Sequence, residues 1–223
     1  MNAPVLLFDL DGTLTDPQPG IVGCIRHALD RLGQPSPTEE RLVSFIGPPL
    51  RGAFATLLDT SDRRRVEEAM TLYRERYGTV GLFENTVYSG VAEMLDEARA
   101  TGSPCFVATG KPLVYTSQIV KHFGLMDRFA ALYGSELDGR FDDKAELLEH
   151  LLRRERIPAH DAIMIGDRAA DVVAAKKNGL RSVGVLWGFG DDAELEDAGA
   201  DALCASPDDL VGCTRRLAQS PDR

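Results

Sequence analysis

Apolar positions along the chain follow two rhythms. Short apolar runs such as Val5-Leu6-Leu7-Phe8 and Ile163-Met164-Ile165 read as buried strands. Longer stretches repeat apolar residues at helical spacing, as Ile21, Cys24, Ile25, Ala28, Leu29 and Leu32 do. From about residue 88 the two alternate strictly. Helices are expected over about 90–100, 112–123, 144–155, 169–178, 192–197 and 207–218, with strands over 104–108, 130–133, 162–165, 182–186 and 202–204. Repeated strand–helix units imply an α/β fold, a mainly parallel sheet with helices on both faces. Ligands in such sheets bind at the carboxyl ends of the strands. Residues 16–82 break the rhythm. They read as four helices, at about 20–32, 39–45, 50–58 and 62–77, punctuated by Pro35, Pro37, Pro48 and Pro49. This block is expected to be a small helical domain, a cap, inserted into a core made of 1–15 and 83–223.

Composition narrows the partners. The 223 residues are 43% hydrophobic and 27% charged, ordinary for a globular protein, with a net charge of −10. An acidic surface disfavours a nucleic-acid polymer as the main partner. Arg63-Arg64-Arg65 precedes Glu67 and Glu68 in a helical stretch, the pattern of a solvated face. The four cysteines show no metal or redox spacing, and Cys105 and Cys204 lie in apolar runs that suit buried thiols. No apolar run is long enough to span a membrane, and the first residues lead straight into a strand rather than a leader. A reducing cytoplasm is the expected location.

The first strand ends in Asp9-Leu10-Asp11-Gly12-Thr13. In an extended chain Asp9 and Asp11 would project to one side. Two carboxylates about 4–5 Å apart repel by roughly 3–4 kcal/mol at an effective dielectric near 20. Such a pair needs a cation, a shared proton or solvent. Three further sites fall at expected strand ends. Thr109-Gly110-Lys111 follows one strand and opens a helix, where a hydroxyl and free amides suit a phosphate oxygen, although Thr109 as a plain N-cap fits equally. Lys144 begins a helix against its dipole, which suggests a partner anion. Asp167 and Asp171, four apart after Gly166, share a face if both are helical. The bland readings are that Asp167 caps the helix and Asp171 complements its dipole. A second acidic pair with oxygen-only ligands would suit Mg²⁺.

Taken together, in this order, these residues resemble the haloacid dehalogenase superfamily and its phosphatase branch. Asp9-Leu10-Asp11-Gly12-Thr13, Thr109, Lys144 and Gly166-Asp167 with Asp171 are similar to its four motifs. The 16–82 block, Phe45-Ile46-Gly47-Pro48-Pro49-Leu50, the 133–139 segment and Trp187-Gly188-Phe189-Gly190 resemble members labelled phosphoglycolate phosphatase or 5′-nucleotidase. The resemblance implies a Rossmann-like core with a helical cap. It implies Mg²⁺-dependent hydrolysis of a small phosphorylated metabolite through an aspartyl-phosphate. Asp9 would be the nucleophile and Asp11 the acid and base. Asp9, the Asp11 carbonyl, Asp167 and Asp171 would hold the metal. Gly12, Thr13, Thr109, Gly110 and Lys144 would line the phosphoryl site, with Arg51 as a cap residue reaching the substrate. Gly110 departs from the serine or asparagine common at its position. A phosphomutase of the same superfamily is the alternative enzyme; a phospho-receiver or other binding protein is the alternative of another class. A dehalogenase fits less well, because that branch lacks a counterpart of Asp11.

Overall fold

The computed structural model describes residues 3–220, which divide into two compact units. One comprises the chain up to Thr15 and from Val87 onward; the other is Asp16–Thr86. The chain passes between them through short strands β2 (Thr15–Asp16) and β3 (Thr86–Val87), which form a two-stranded sheet.

The first unit is built on six parallel strands in the order β5-β4-β1-β6-β7-β8. They are β1 (Val5–Phe8), β4 (Cys105–Pro112), β5 (Ala131–Ser135), β6 (Ala162–Gly166), β7 (Arg181–Val185) and β8 (Ala202–Cys204). Helices α5 (Val91–Ala100), α6 (Leu113–His122), α7 (Lys144–Glu155), α8 (Ala169–Lys177), α9 (Asp192–Ala198) and α10 (Pro207–Gln219) alternate with them. This is the α/β, Rossmann-like architecture expected from the alternating pattern. Strand β1 lies in the middle, with β4 on one side and β6 on the other, so Leu6, Leu7 and Phe8 are fully buried. The order of strands reverses at β1. The connections on its two sides therefore diverge and leave a crevice at its carboxyl end, where ligands of such sheets bind. Under one face lie Leu7, Phe106, Ala108 and Met164 of the sheet with Leu147, Leu148 and Leu151 of α7.

The second unit is helical: α1 (Gln18–Arg31), α2 (Glu39–Val43), α3 (Leu50–Leu57) and α4 (Arg63–Arg76), the last running into a wider π-type turn at Tyr77–Gly81. Its centre is aromatic. Tyr73 stacks on Tyr77 at 5.1 Å between ring centres and meets Phe54 edge-on at 6.1 Å. The unit extends four residues beyond the expected limit at 82. Glu84 holds it there: its carboxylate pairs with both terminal nitrogens of Arg76, at 2.7 and 2.8 Å, and its carbonyl accepts from the Gly20 amide. Arg63, Arg64 and Arg65 are exposed.

Three local expectations are corrected. Strand β1 stops at Phe8, so Asp9 and Asp11 do not continue an extended strand. Gly12 adopts φ +85°, and the Leu10 carbonyl accepts from both Leu14 and Thr15, which winds 10–15 into a tight loop. Thr109 does not open a helix. Strand β4 continues to Pro112, paired with Ser135 of β5, and Pro112 itself is the N-cap residue of α6. The residue before a proline is driven towards extended backbone, which carries the strand through Lys111. Asp167 lies just before α8, which begins at Ala169 as expected, so Asp167 and Asp171 do not share a helical face.

Leu148 has no exposed surface, whereas Leu186 is 38% exposed. Leu148→Ala should lower the unfolding free energy by about 2–5 kcal/mol. Leu186→Ala should change it by under about 0.5 kcal/mol. Urea unfolding followed by circular dichroism measures both.

Candidate active site

The crevice at the end of β1 collects side chains from four neighbouring segments. Asp9 follows β1 directly, and its amide donates to the Ile165 carbonyl at 2.9 Å, which ties this point to β6. Asp167 follows β6, Thr109 sits in β4 just before its register against β5 shifts, and Lys144 is the first residue of α7. Asp9, Thr109, Asp167 and Asp171 are all buried.

Lys144 bridges two carboxylates. Its ammonium hydrogen-bonds Asp171 Oδ1 and forms an ion pair with Asp9 Oδ1 at 3.0 Å. Asp171 also reaches back to the Arg168 amide at 3.1 Å, so it caps α8 as well as pairing with lysine. Asp167 does not cap. Its Oδ1 accepts from the Thr13 hydroxyl at 3.3 Å and its Oδ2 from the Phe189 amide at 2.9 Å. Asp11 turns to another cation, with Lys111 Nζ 2.6 Å from its Oδ2. Thr109 Oγ1 accepts from the Lys111 amide at 3.2 Å, and the Gly110 carbonyl accepts from the Ser135 hydroxyl at 2.7 Å. Gly12 has no room for a side chain, because a Cβ there would overlap the Asp167 carboxylate. Arg51 belongs to the helical unit, on α3, where its Nε pairs with Glu67 at 2.7 Å.

The electrostatics are strained by crowding. Burial, aided by Asp171 and Asp9, pushes Asp167 up to about 8. Burial raises Asp171 to about 6 although the Lys144 ammonium opposes it. Burial also raises Asp11, against the pull of Lys111. For Lys144 burial acts in the other direction, but Asp171 and Asp9 outweigh it and keep the ammonium charged well above the usual range. Four carboxylates thus face two ammonium groups, Lys111 and Lys144. Asp9, Asp167 and Asp171 each offer an oxygen within 4.8 Å of the others. Asp11 Oδ1 is buried without a hydrogen-bond partner, and Asp9 Oδ1 is buried against the Lys144 ammonium. Crowded carboxylates, an orphaned oxygen and an all-oxygen donor set fit a hard divalent cation.

Two contributors were not singled out as site residues from sequence. In sequence Lys111 is merely the tail of Thr109-Gly110-Lys111, and its pairing with Asp11 crosses from β4 to the loop after β1. The second is the loop at 187–190. Its composition, a tryptophan and two glycines directly after a strand, was visible, but its contact with Asp167 was not.

The haloacid dehalogenase-like hydrolase family model matches residues 6–185, and the chain belongs to that family. It is 45% identical over 205 residues to a 5′-nucleotidase of Pseudomonas aeruginosa, an alignment that covers 92% of each chain. It is 36% identical over 186 residues to the tyrosine-protein kinase PtkA of Mycobacterium tuberculosis, which covers 83% of this chain and 63% of that one. A predicted phosphatase of Clostridium acetobutylicum superposes with a TM-score of 0.93 at 38% identity, over 97% of this chain and all of that one. Relatives named phosphoglycolate phosphatase also match along nearly their whole length. The protein is a phosphatase of the haloacid dehalogenase-like family. No helix among the described residues is long and apolar enough to cross a membrane.

The raised Asp167 carboxyl gives the site a pH signature. Without a cation, Asp167 keeps its proton to about pH 8, while in the unfolded chain it ionises near 3.8. Its contribution to stability is complete below the unfolded value and is lost as pH rises through about 8. A divalent cation competes with that proton, so its stabilisation should grow with pH. Calorimetric melting with Mg²⁺ and with chelator should show a wider gap in Tm at about pH 9 than at about pH 6. Equal gaps would contradict the assignment.

Proposed function

We propose that the protein is a Mg²⁺-dependent phosphomonoesterase that hydrolyses a small phosphorylated metabolite through a phosphorylated Asp9. The observation that carries this reading is the convergence of Asp9, Asp11, Asp167 and Asp171 on one buried crevice, where Lys111 and Lys144 are the cations that pair with them among the described residues. Mg²⁺ would be held by Asp9, Asp167 and Asp171, with the Asp11 carbonyl as the remaining protein ligand. When bound, it would screen the negative charge between a carboxylate and an incoming phosphate ester.

The chain's own residues divide the chemistry. The ester's phosphoryl oxygens meet the Lys144 ammonium and the Thr109 hydroxyl, with the amide of Gly110 as a further donor; the Gly12 and Thr13 amides, expected to join them, donate instead to the Thr15 and Leu10 carbonyls. An Asp9 carboxylate oxygen attacks phosphorus, and the bond from phosphorus to the ester oxygen breaks. Asp11 gives its proton to the departing oxygen, releasing an alcohol. Water then attacks the phosphorus of the acyl phosphate while Asp11 takes back a proton. The bond to Asp9 breaks and inorganic phosphate leaves. Burial of Asp11 favours the protonated form that the first step needs. Positioning and charge stabilisation supply most of the acceleration in such transfers.

Among small phosphate esters, a nucleoside 5′-monophosphate is the leading substrate, ahead of phosphoglycolate. The support is the 45% identity to a protein named 5′-nucleotidase, against 30% or less to those named phosphoglycolate phosphatase. Arg51 is the proposed specificity residue of the helical unit, since its guanidinium can pair with a substrate phosphate or carboxylate. The work takes place in the cytoplasm under this reading, on a metabolite rather than a nucleic-acid polymer or a membrane.

Phosphate release from a panel of monoesters with Mg²⁺ tests the reading. Asp9→Asn should drop turnover to background, and Asp11→Asn should slow alkyl esters about a hundredfold or more. Turnover of no ester in a broad panel would sink it. Arg51→Ala should reduce kcat/KM for the preferred substrate about tenfold while sparing a generic aryl phosphate. Equal loss on both, or none, would remove Arg51 from the site.

A further inference from the structure

The loop at 187–190 follows β7 and makes contacts that packing alone does not require. The Trp187 indole N–H donates to the Thr13 carbonyl at 2.9 Å. The Thr13 hydroxyl in turn donates to Asp167 Oδ1, and the Phe189 amide donates to Asp167 Oδ2. One four-residue loop therefore governs both oxygens of a single carboxylate, one directly and one through Thr13. Gly188 and Gly190 complete the grip. A Cβ on Gly188 would lie 2.6 Å from Asp167 Oδ2 and would also collide with the Gly12 carbonyl. A Cβ on Gly190 would overlap the Asp167 carbonyl. Asp167 is thus pinched between Gly12 on one side and Gly188 on the other, with no exposed surface.

We propose that the Trp187-Gly188-Phe189-Gly190 loop is the positioning element for Asp167, fixing the rotation of its carboxylate so that its free lone pairs point where a divalent cation would bind. The inference rests on the metal site of the preceding section and adds to it the residues that set its affinity. A carboxylate free to rotate must be ordered when the cation arrives. One already held at both oxygens binds without that cost, and partners of this kind typically change metal affinity by about 10–100-fold. Trp187 acts through Thr13 and touches neither substrate nor cation. A purely space-filling tryptophan would need its ring but not its N–H; the hydrogen bond to Thr13 is what separates the two roles.

Trp187→Phe keeps an aromatic ring and removes the donor, while Gly188→Ala forces a methyl group against Asp167. Each variant is melted in chelator, to establish folding, and then titrated with Mg²⁺ in the absence of substrate, using the rise in Tm as the readout. The Mg²⁺ midpoint should increase about tenfold or more for both, and kcat should recover towards the wild-type value at saturating Mg²⁺. Trp187 is the chain's single tryptophan. Mg²⁺ titration of the wild type should therefore change the intrinsic fluorescence with the same midpoint as the melting curves. A folded Trp187→Phe variant with the wild-type midpoint would overturn the loop's role while leaving the metal site standing. A wild type whose melting and fluorescence both ignore Mg²⁺ would overturn the metal site and the inference together.

Discussion

Buried like charge organises this molecule. Asp9, Asp167 and Asp171 converge behind the central strand, with Asp11 beside them, and all are largely withdrawn from water. Each would be costly alone, and together they repel, which is why burial and neighbouring carboxylates drive Asp167 to hold its proton. The surrounding structure answers that cost with directed partners. Lys144 spans Asp9 and Asp171, Lys111 takes Asp11, and the Arg168 and Phe189 amides each take a carboxylate oxygen. A deficit of positive charge remains after these contacts are counted, and a phosphatase that recruits a divalent cation can use that deficit as binding energy.

The sheet makes the convergence possible. With β4 and β6 flanking β1, three neighbouring strands open into one crevice and deliver a carboxylate after β1, a hydroxyl on β4 and a second carboxylate after β6. Lys144 enters from α7, whose Leu147, Leu148 and Leu151 anchor it against the sheet. The functional end of that helix is therefore held by its apolar face, and a lysine that opposes the helix dipole is compensated by two aspartates. The two aspartates of the first motif end in unlike surroundings. Asp9 shares Lys144 with Asp171, whereas Asp11 pairs with Lys111, so identical side chains two residues apart can take different roles.

Much of this was visible in the order of residues. Helix α7 begins at Lys144 and ends at Glu155 as the periodicity indicates, and the six strands of the core fall where short apolar runs meet turn residues. Asp9, Thr109 and Asp167 could be picked out because each follows a short apolar run, and Lys144 and Asp171 because each stands in the first turn of the helix that follows; a parallel sheet gathers those ends. Local detail was less legible where a turn or proline overrode the simple pattern. Gly12 bends the chain straight after β1, and Pro112 keeps β4 extended through Lys111, so Asp11 and Thr109 occupy different backbone settings from those expected. The helical unit runs on to Thr86 because Glu84 pairs with Arg76, a contact that no periodicity encodes.

Periodicity and turn chemistry are properties of neighbouring residues, and they determined the element order, the fold class and most of the candidate site residues. Which of those side chains meet was a matter of long-range packing. Lys111 finds Asp11 across two strands, Thr13 finds Asp167 across 154 residues, and Trp187 finds Thr13 across 174. Such pairings depend on strand order and on how closely glycine lets two loops approach, and neither is written in the spacing of residues along the chain. The opening aspartates announced that a partner charge was needed; the folded sheet chose which lysine each would have.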